Sequence, residues 1–403
     1  MDAMPELTFG QRLKLYRERS GKTRAVLGGL VGRSAEWVKA VETDRILPPR
    51  IHMLDRIARA LKVDVSALVG ELSDRSAIVN GPEHPALASV RDVVNHYVLP
   101  GDATAQPLEQ IKGRLAAAWR ARHESSDHRT VLGALLPDLV RDTQRAALTY
   151  EGDDRRQAHA LLAEALGLAQ MYLAYQPAAE LIWRVADRSM MAAQESGDPE
   201  ALARAGWFLC QLHRDCGDWD TAITVTLDLI SALEARMADA NVNLFALWGA
   251  LNFEAAYIAA RVGEEGRAWR YWDRADQVAQ RLPQGFYQLQ TSFSRIIMTA
   301  HAVTLAVELQ KPGEAVRQAD RLNPAAIPSR PRRARHLIEV ARGHFSKGDN
   351  KSVVATLRQA YDSAPETIRF NGYARQITLD LLDGPRSARN GVRDLALKVG
   401  LIS

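Results

Sequence analysis

The stretch Thr23-Arg24-Ala25-Val26-Leu27-Gly28-Gly29-Leu30-Val31-Gly32-Arg33-Ser34-Ala35-Glu36-Trp37-Val38-Lys39-Ala40-Val41-Glu42 decides how the chain is read. It divides at Gly32-Arg33 into two short helical runs. Thr23 can N-cap the first, which reaches Val31 with Val26, Leu27 and Leu30 apolar; Ser34 can cap the second, Ala35 to Glu42. Helices this short are marginal alone and need neighbours to pack against. The flanks supply them. Phe9, Leu13 and Tyr16 lie at helical spacing before the break at Ser20-Gly21, and Pro48-Pro49 stops the chain after Glu42. A fourth helix follows from Ile51 to Leu61 through Leu54, Ile57 and Ala58, and residues 65–69 make a short fifth turn. Five small helices therefore occupy residues 1–72.

Charge separates this head from the rest. The 403 residues hold 52 Lys/Arg and 48 Asp/Glu, a net of only +4, but residues 7–70 hold 13 basic and six acidic side chains, a net of +7. A small basic domain on a nearly neutral body is a candidate for binding a polyanion. Apolar residues at 47% and charged residues at 25% are proportions of an ordinary globular protein, and the length implies more than one domain. Two cysteines make no disulfide framework, the first residues lack an apolar leader, and no run is apolar enough to span a membrane. A cytoplasmic location is expected.

On Leu27, Gly32, Ser34, Glu42 and the Pro48-Pro49 stop, the head resembles the Cro-type (xenobiotic-response-element) helix-turn-helix domains. In such domains the second helix of the motif enters the major groove and reads bases with its N-terminal part. The resemblance implies that Ala35, Glu36 and Lys39 face bases, Ala35 toward a thymine methyl, Glu36 toward cytosine N4 and Lys39 toward guanine. Trp37 falls either at the groove edge or between helices. Arg24, Arg33, Arg45 and Arg12 are expected on phosphates, joined by Ser34 and the free N–H groups of the third helix. The family commonly has Gln where Arg24 and Ala35 stand here, and Gly28-Gly29 costs about 1 kcal/mol per glycine in mid-helix.

Residues 73–107, punctuated by Gly81-Pro82, His84-Pro85 and Pro100-Gly101, read as a linker carrying one helix at 87–98. From residue 108 to 403 the chain is helix after helix with no period-2 alternation, so the fold class is all-α. Glycine turns recur between amphipathic stretches: Gly217 between 201–215 and 219–235, Gly263 before Ala268, Gln310 before Ala315, and Gly348 between 332–347 and 351–364. Residues 155–175 and 178–195 form a further pair. The shared phase puts Cys210, Ala256, Val303 and Ala341 at the small position between paired helices. This pattern resembles the tetratricopeptide repeat, and Trp183 to Arg188 resembles the repeats of actinobacterial helix-turn-helix regulators. The excess of Arg over Lys, 43 to 9, fits a high-GC source.

Stacked helix pairs form a superhelix with a concave groove. By resemblance, Arg204, Trp207, Gln211, Arg214, Phe253, Tyr257 and Arg342 line it, with Asn243 and Asn252 able to bond a peptide backbone. That mixture suits a peptide or a small amphipathic anion. Other motifs are weaker. Ser20-Gly21-Lys22-Thr23 lacks the first glycine and preceding strand of a phosphate loop. Cys210-His213-Cys216 lacks a fourth zinc ligand, with Cys210 and His213 expected on a buried interhelix face. In His123-Glu124-Ser125-Ser126-Asp127-His128 the second His is one residue late for zinc. Arg330 to Arg335 reads as a solvated inter-repeat loop or an extra phosphate contact. No catalytic residue, metal site or cofactor is expected. The chain reads as a transcription regulator that binds operator DNA as a homodimer, with a peptide or small-molecule effector in its repeats; the alternative is an interaction scaffold whose repeats capture a partner protein.

Overall fold

A computed structural model describes residues 8–46, 49, 51–61, 63, 68, 82–99, 104–384 and 386–402. Among the described residues the head has four helices: α1 (Phe9–Arg19), α2 (Arg24–Leu30), α3 (Ala35–Glu42) and α4 (Ile51–Leu61). Thr8, Thr23 and Ser34 cap the first three, each side chain accepting a backbone N–H of the first turn. Phe9, Leu13, Leu27, Val38, Val41 and Ile57 make the core. Beneath them Arg17 is buried and meets Glu42, which also accepts 2.7 Å from Arg24. Gly28 has a steric reason: a Cβ there would lie 2.5 Å from the Arg33 carbonyl oxygen, so the motif's tight turn needs it. Of the apolar residues read in α2, Val26 and Leu30 are exposed and Leu27 is buried, as is Val31 at the C-cap. Pro48 and most of residues 65–69 lie outside the described residues, as does the expected boundary at residue 72.

The body consists of α5 (Leu87–Asn95) and then α6 (Leu108–Glu124), α7 (His128–Thr149), α8 (Gly152–Leu173), α9 (Ala179–Ser196), α10 (Pro199–Cys216) and α11 (Trp219–Glu234). These are followed by α12 (Val242–Arg261), α13 (Glu265–Arg281), α14 (Arg295–Glu308), α15 (Pro312–Ala319), α16 (Arg330–Ser346) and α17 (Asn350–Ser363). The chain ends with α18 (Pro365–Phe370), α19 (Gly372–Leu382) and α20 (Arg386–Lys398); no strand occurs among the described residues. Successive helices pack as antiparallel pairs, α8 with α9, α10 with α11, α12 with α13, α14 with α15, and α16 with α17. The positions expected between paired helices, Cys210, Ala256, Val303 and Ala341, are fully buried, as are Ala222, Ala268 and Val353. Small side chains there let the helix axes approach closely.

Three features differ from expectation. The helix inside the expected 73–107 linker belongs to the body, because Leu87, Val90, Val93 and Val94 are buried in its main core. The Arg330–Arg335 run is not a solvated loop: Ser329 caps it into the first turn of α16, and Arg330 and Arg333 donate to the carbonyls of Ser363 and Ile327. And the superhelix meets itself. The His123 imidazole of α6 is 2.7 Å from Ser329 Oγ, and the Thr130 hydroxyl of α7 donates to Glu366 at 2.6 Å, so the first pair packs on the last ones. Helix α12 alone among the described residues is long and apolar enough to cross a membrane, but it is a mostly buried core helix.

Candidate DNA interface and interior cleft

In the head, Glu36 of α3 is exposed, Ala35, Trp37 and Lys39 are half-exposed, and Ser34 begins the helix by capping the Trp37 N–H at 3.1 Å. This is the surface expected to read bases. Three of the four arginines expected on phosphates, Arg24, Arg12 and Arg33, have other partners. Arg24 is held by Glu42, and Arg12 donates to the Leu68 carbonyl at 3.1 Å. Arg45 is exposed and, with Asp44 and Ile46, borders a small crevice shared with Val307, Gln310 and Arg342 of the body.

Arg33 is the decisive one. Its guanidinium lies 4.8 Å from the Trp37 ring and 3.6 Å from the ring of Trp219, the first residue of α11, and it donates to the Arg261 carbonyl. Trp219 and Val262 of the body thereby join the head's own apolar cluster. Next to it, a Cβ on Gly263 would stand 2.5 Å from Ser34 Oγ. Gly217 and Gly263, foreseen as repeat turns, have φ of 81° and 84°, and Gly263 presses against the head. The clamp is poorly compensated. Burial, with Arg261 close by, pushes the Arg33 guanidinium well below its usual range, its Nε finds no partner, and neither does Trp219 Nε1.

The expected groove residues fall into two groups. Arg214, Phe253, Tyr257 and Arg342 come together in the interior of the superhelix. Arg214 pairs with Glu254 and stacks 4.2 Å from the Tyr257 ring, and Arg342 bonds Glu308 at 2.8 Å and Glu339 at 2.6 Å. Burial opposes the Arg342 charge, yet Glu339 and Glu308 hold it above its ordinary range; Glu308, which burial would raise, is drawn down to about 2 by Arg261 and Arg342. Arg204, with Glu200 at 3.2 Å, and exposed Asn243 lie at the N-terminal ends of their helices, away from that cluster. Trp207 is buried against Phe208, Gln211 is half-buried, and Asn252 is fully buried with its amide donating to the Trp248 carbonyl at 2.9 Å. Cys210 is buried and pushed up to about 12 by its surroundings, whereas His213, expected to be buried, is half-exposed and bonds Asp218 at 3.0 Å.

The sequence reading missed the histidines and arginines contributed by α6, α14 and α16. Both nitrogens of His123 are engaged, by Ser329 Oγ and by the Leu289 carbonyl at 2.7 Å, and burial with Arg122 alongside holds the ring neutral, down to about 3. His301 stacks on Phe253 with ring centres 3.4 Å apart. The signal available in the sequence was the dense Arg330–Arg335 run, whose alternate members turn inward.

Residues 8–70 match the family profile described as a helix-turn-helix domain, and the head is such a domain. The chain is 26% identical over 150 residues to the immunity repressor protein of Bacillus phage phi105, covering 36% of this chain and 92% of that one. Among solved structures, aspartyl phosphate phosphatase F from Bacillus subtilis aligns at 12% identity and a TM-score of 0.43, covering 90% of this chain and 96% of its own. The apo competence regulator ComR from Streptococcus vestibularis aligns at 17% identity and a TM-score of 0.23, covering 70% and 95%.

Proposed function

We propose that the protein is a DNA-binding transcription regulator whose helical body restrains its DNA-reading head and releases it in response to a ligand. The observation that carries this reading is the position of Arg33 and Ser34. They begin the helix that, in a helix-turn-helix domain, meets bases and phosphates, and here they abut Trp219, Arg261 and Gly263 of the body. A DNA backbone cannot reach the N-terminus of α3 while Gly263 stands against it. The Arg33 cation sits between two indoles with no carboxylate within ion-pair distance among the described residues, Glu308 acting on it only from farther away, so phosphate offers it a better partner than the body does.

The released head contributes Lys39 and Glu36 to base edges and Arg33, Arg45 and Ser34 to phosphates. As a homodimer it places two heads on half-sites about one helical turn apart. Its partner being chromosomal DNA, it works in the cytoplasm. A peptide or small molecule in the superhelix favours one of two head positions only to the extent that it binds that state better. The test is selection of genomic fragments by the full-length protein at fixed salt. The expected result is a small set bound at least about a thousandfold tighter than bulk DNA, with Lys39→Ala losing about tenfold on those fragments. Binding no fragment better than bulk DNA, for wild type and a released variant alike, overturns the reading.

A further inference from the structure

Most interior arginines of the superhelix have carboxylate partners: Arg214 has Glu254, Arg261 has Glu308, Arg335 has Glu339 and Arg342 has both of the last two. Arg129 has no ion pair but donates to the Tyr172 carbonyl, whereas Arg122 and Arg332 have neither a carboxylate nor a carbonyl acceptor for their guanidinium groups among the described residues. Arg122, at the end of α6, is buried and touches only the ring of its neighbour His123 at 3.4 Å, with Nε unpartnered. The guanidinium of Arg332, at the start of α16, has two long contacts, 3.4 and 3.3 Å to the two ring nitrogens of His301. Between them is Tyr287, whose buried hydroxyl lies beside Ser292 and Ser329 without closing a hydrogen bond.

These three groups act on one another. Both arginines lie within electrostatic reach of Tyr287, and the Arg332 charge repels that of Arg122. Burial pushes Arg122 down to about 10 and lowers Arg332 too, the opposite of Arg342 with its two glutamates. A guanidinium carries five N–H donors and cannot shed its charge, so a buried one without an acceptor is costly. The arrangement lacks an anion. Arg332 is not sealed off either, since it keeps part of its surface exposed although protein surrounds it.

We propose that the part of the superhelix interior where Arg122, Arg332 and Tyr287 converge binds the carboxylate or phosphate group of a small effector, whose apolar part lies against the stacked His301 and Phe253 rings. The two arginines supply charge-assisted hydrogen bonds and the Tyr287 hydroxyl a third donor. His123, fixed by Ser329 and Leu289, holds the α6 end in place. This site deepens the sensor reading and rests on it only for its consequence, not for its chemistry.

The test uses the full-length protein with two probes, inorganic phosphate and benzoate, against chloride at equal ionic strength. Calorimetry and thermal melting are expected to show saturable binding of at least one probe: phosphate alone assigns a phosphorylated ligand, benzoate alone a carboxylate, and both a general oxyanion site. Arg122→Met and Arg332→Met are each expected to weaken that binding about tenfold or more, while melting without anion at or above wild type, because an unpaired buried cation has been removed. Tyr287→Phe, which removes one oxygen, is expected to weaken binding while folding normally. The proposal is overturned if neither probe stabilises beyond chloride, or if binding survives all three substitutions. Binding that leaves DNA affinity unchanged keeps the site and removes the sensor reading; DNA affinity that responds to another ligand while neither probe binds does the reverse.

Discussion

At the scale of single residues, the interior histidines carry a measurable pH signature. Burial, with neighbouring arginines, holds His123 down to about 3 and His336, next to Arg332, down to about 4, against an ordinary value of 6.5. The unfolded chain therefore binds more protons than the folded one below pH 6.5, and stability contributed by the neutral rings is lost as pH falls through that window toward 4. Thermal melting is expected to drop between pH 6.5 and 4, and His123→Gln, which can still bond Ser329 or Leu289, is expected to flatten the drop by about one proton. An unchanged slope would mean that the His123 ring titrates as though exposed. None of this was legible in the sequence. His123 and His128 attracted notice there only as a misspaced zinc pair, because the groups they face, Ser329 Oγ at 2.7 Å from His123 and the Glu366 carboxylate at 3.9 Å from His128, lie more than 200 positions away. Arg33 was read as a phosphate contact on the same grounds: its local motif was visible and Trp219 was not.

At the scale of elements, local signals were read well and partners poorly. The caps at Thr23 and Ser34 and the small interhelix residues Cys210, Ala256, Val303 and Ala341 sit where the pattern put them, because capping and helix-pair packing act over a few residues. The helix Leu87–Asn95 was assigned to a linker because prolines flank it, yet its valines complete the body's core. The repeat turns show the same limit. Gly217 and Gly263 were read as turn formers, which their positive φ supports, but Gly263 has a second role, to admit the head. Gly263→Ala tests that role. Its methyl would collide with Ser34 and should displace α3, whereas Gly348→Ala, at a φ of 78° with open space around it, carries the same backbone strain alone. DNA affinity is expected to rise several-fold in the first variant and stay level in the second. Equal behaviour would mean that the turn does not hold the head.

At the scale of the whole molecule, the divided charge seen in the sequence has a structural counterpart. The basic head rests on the body through a cation, Arg33, that the body binds with one aromatic face, Trp219, and one carbonyl rather than with a carboxylate. The same Arg261 whose carbonyl accepts Arg33 bonds Glu308 with its guanidinium, and Glu308 bonds Arg342 in the interior. A continuous set of charged contacts thus runs from the interior to the head, a route by which a ligand can bias the head's position if both arrangements are populated. The most direct measurement is the affinity of the full-length protein for one selected operator fragment at fixed salt, wild type beside Trp219→Ala. Trp219 touches Arg33 from the body side and contributes nothing to the head's DNA-reading surface. Its loss removes a stacked cation–aromatic contact of about 1–2 kcal/mol and should raise the fraction of released heads, so the variant is expected to bind the operator about tenfold tighter with its preference over bulk DNA intact. Equal or weaker operator binding by a Trp219→Ala protein that still melts cooperatively would contradict the account.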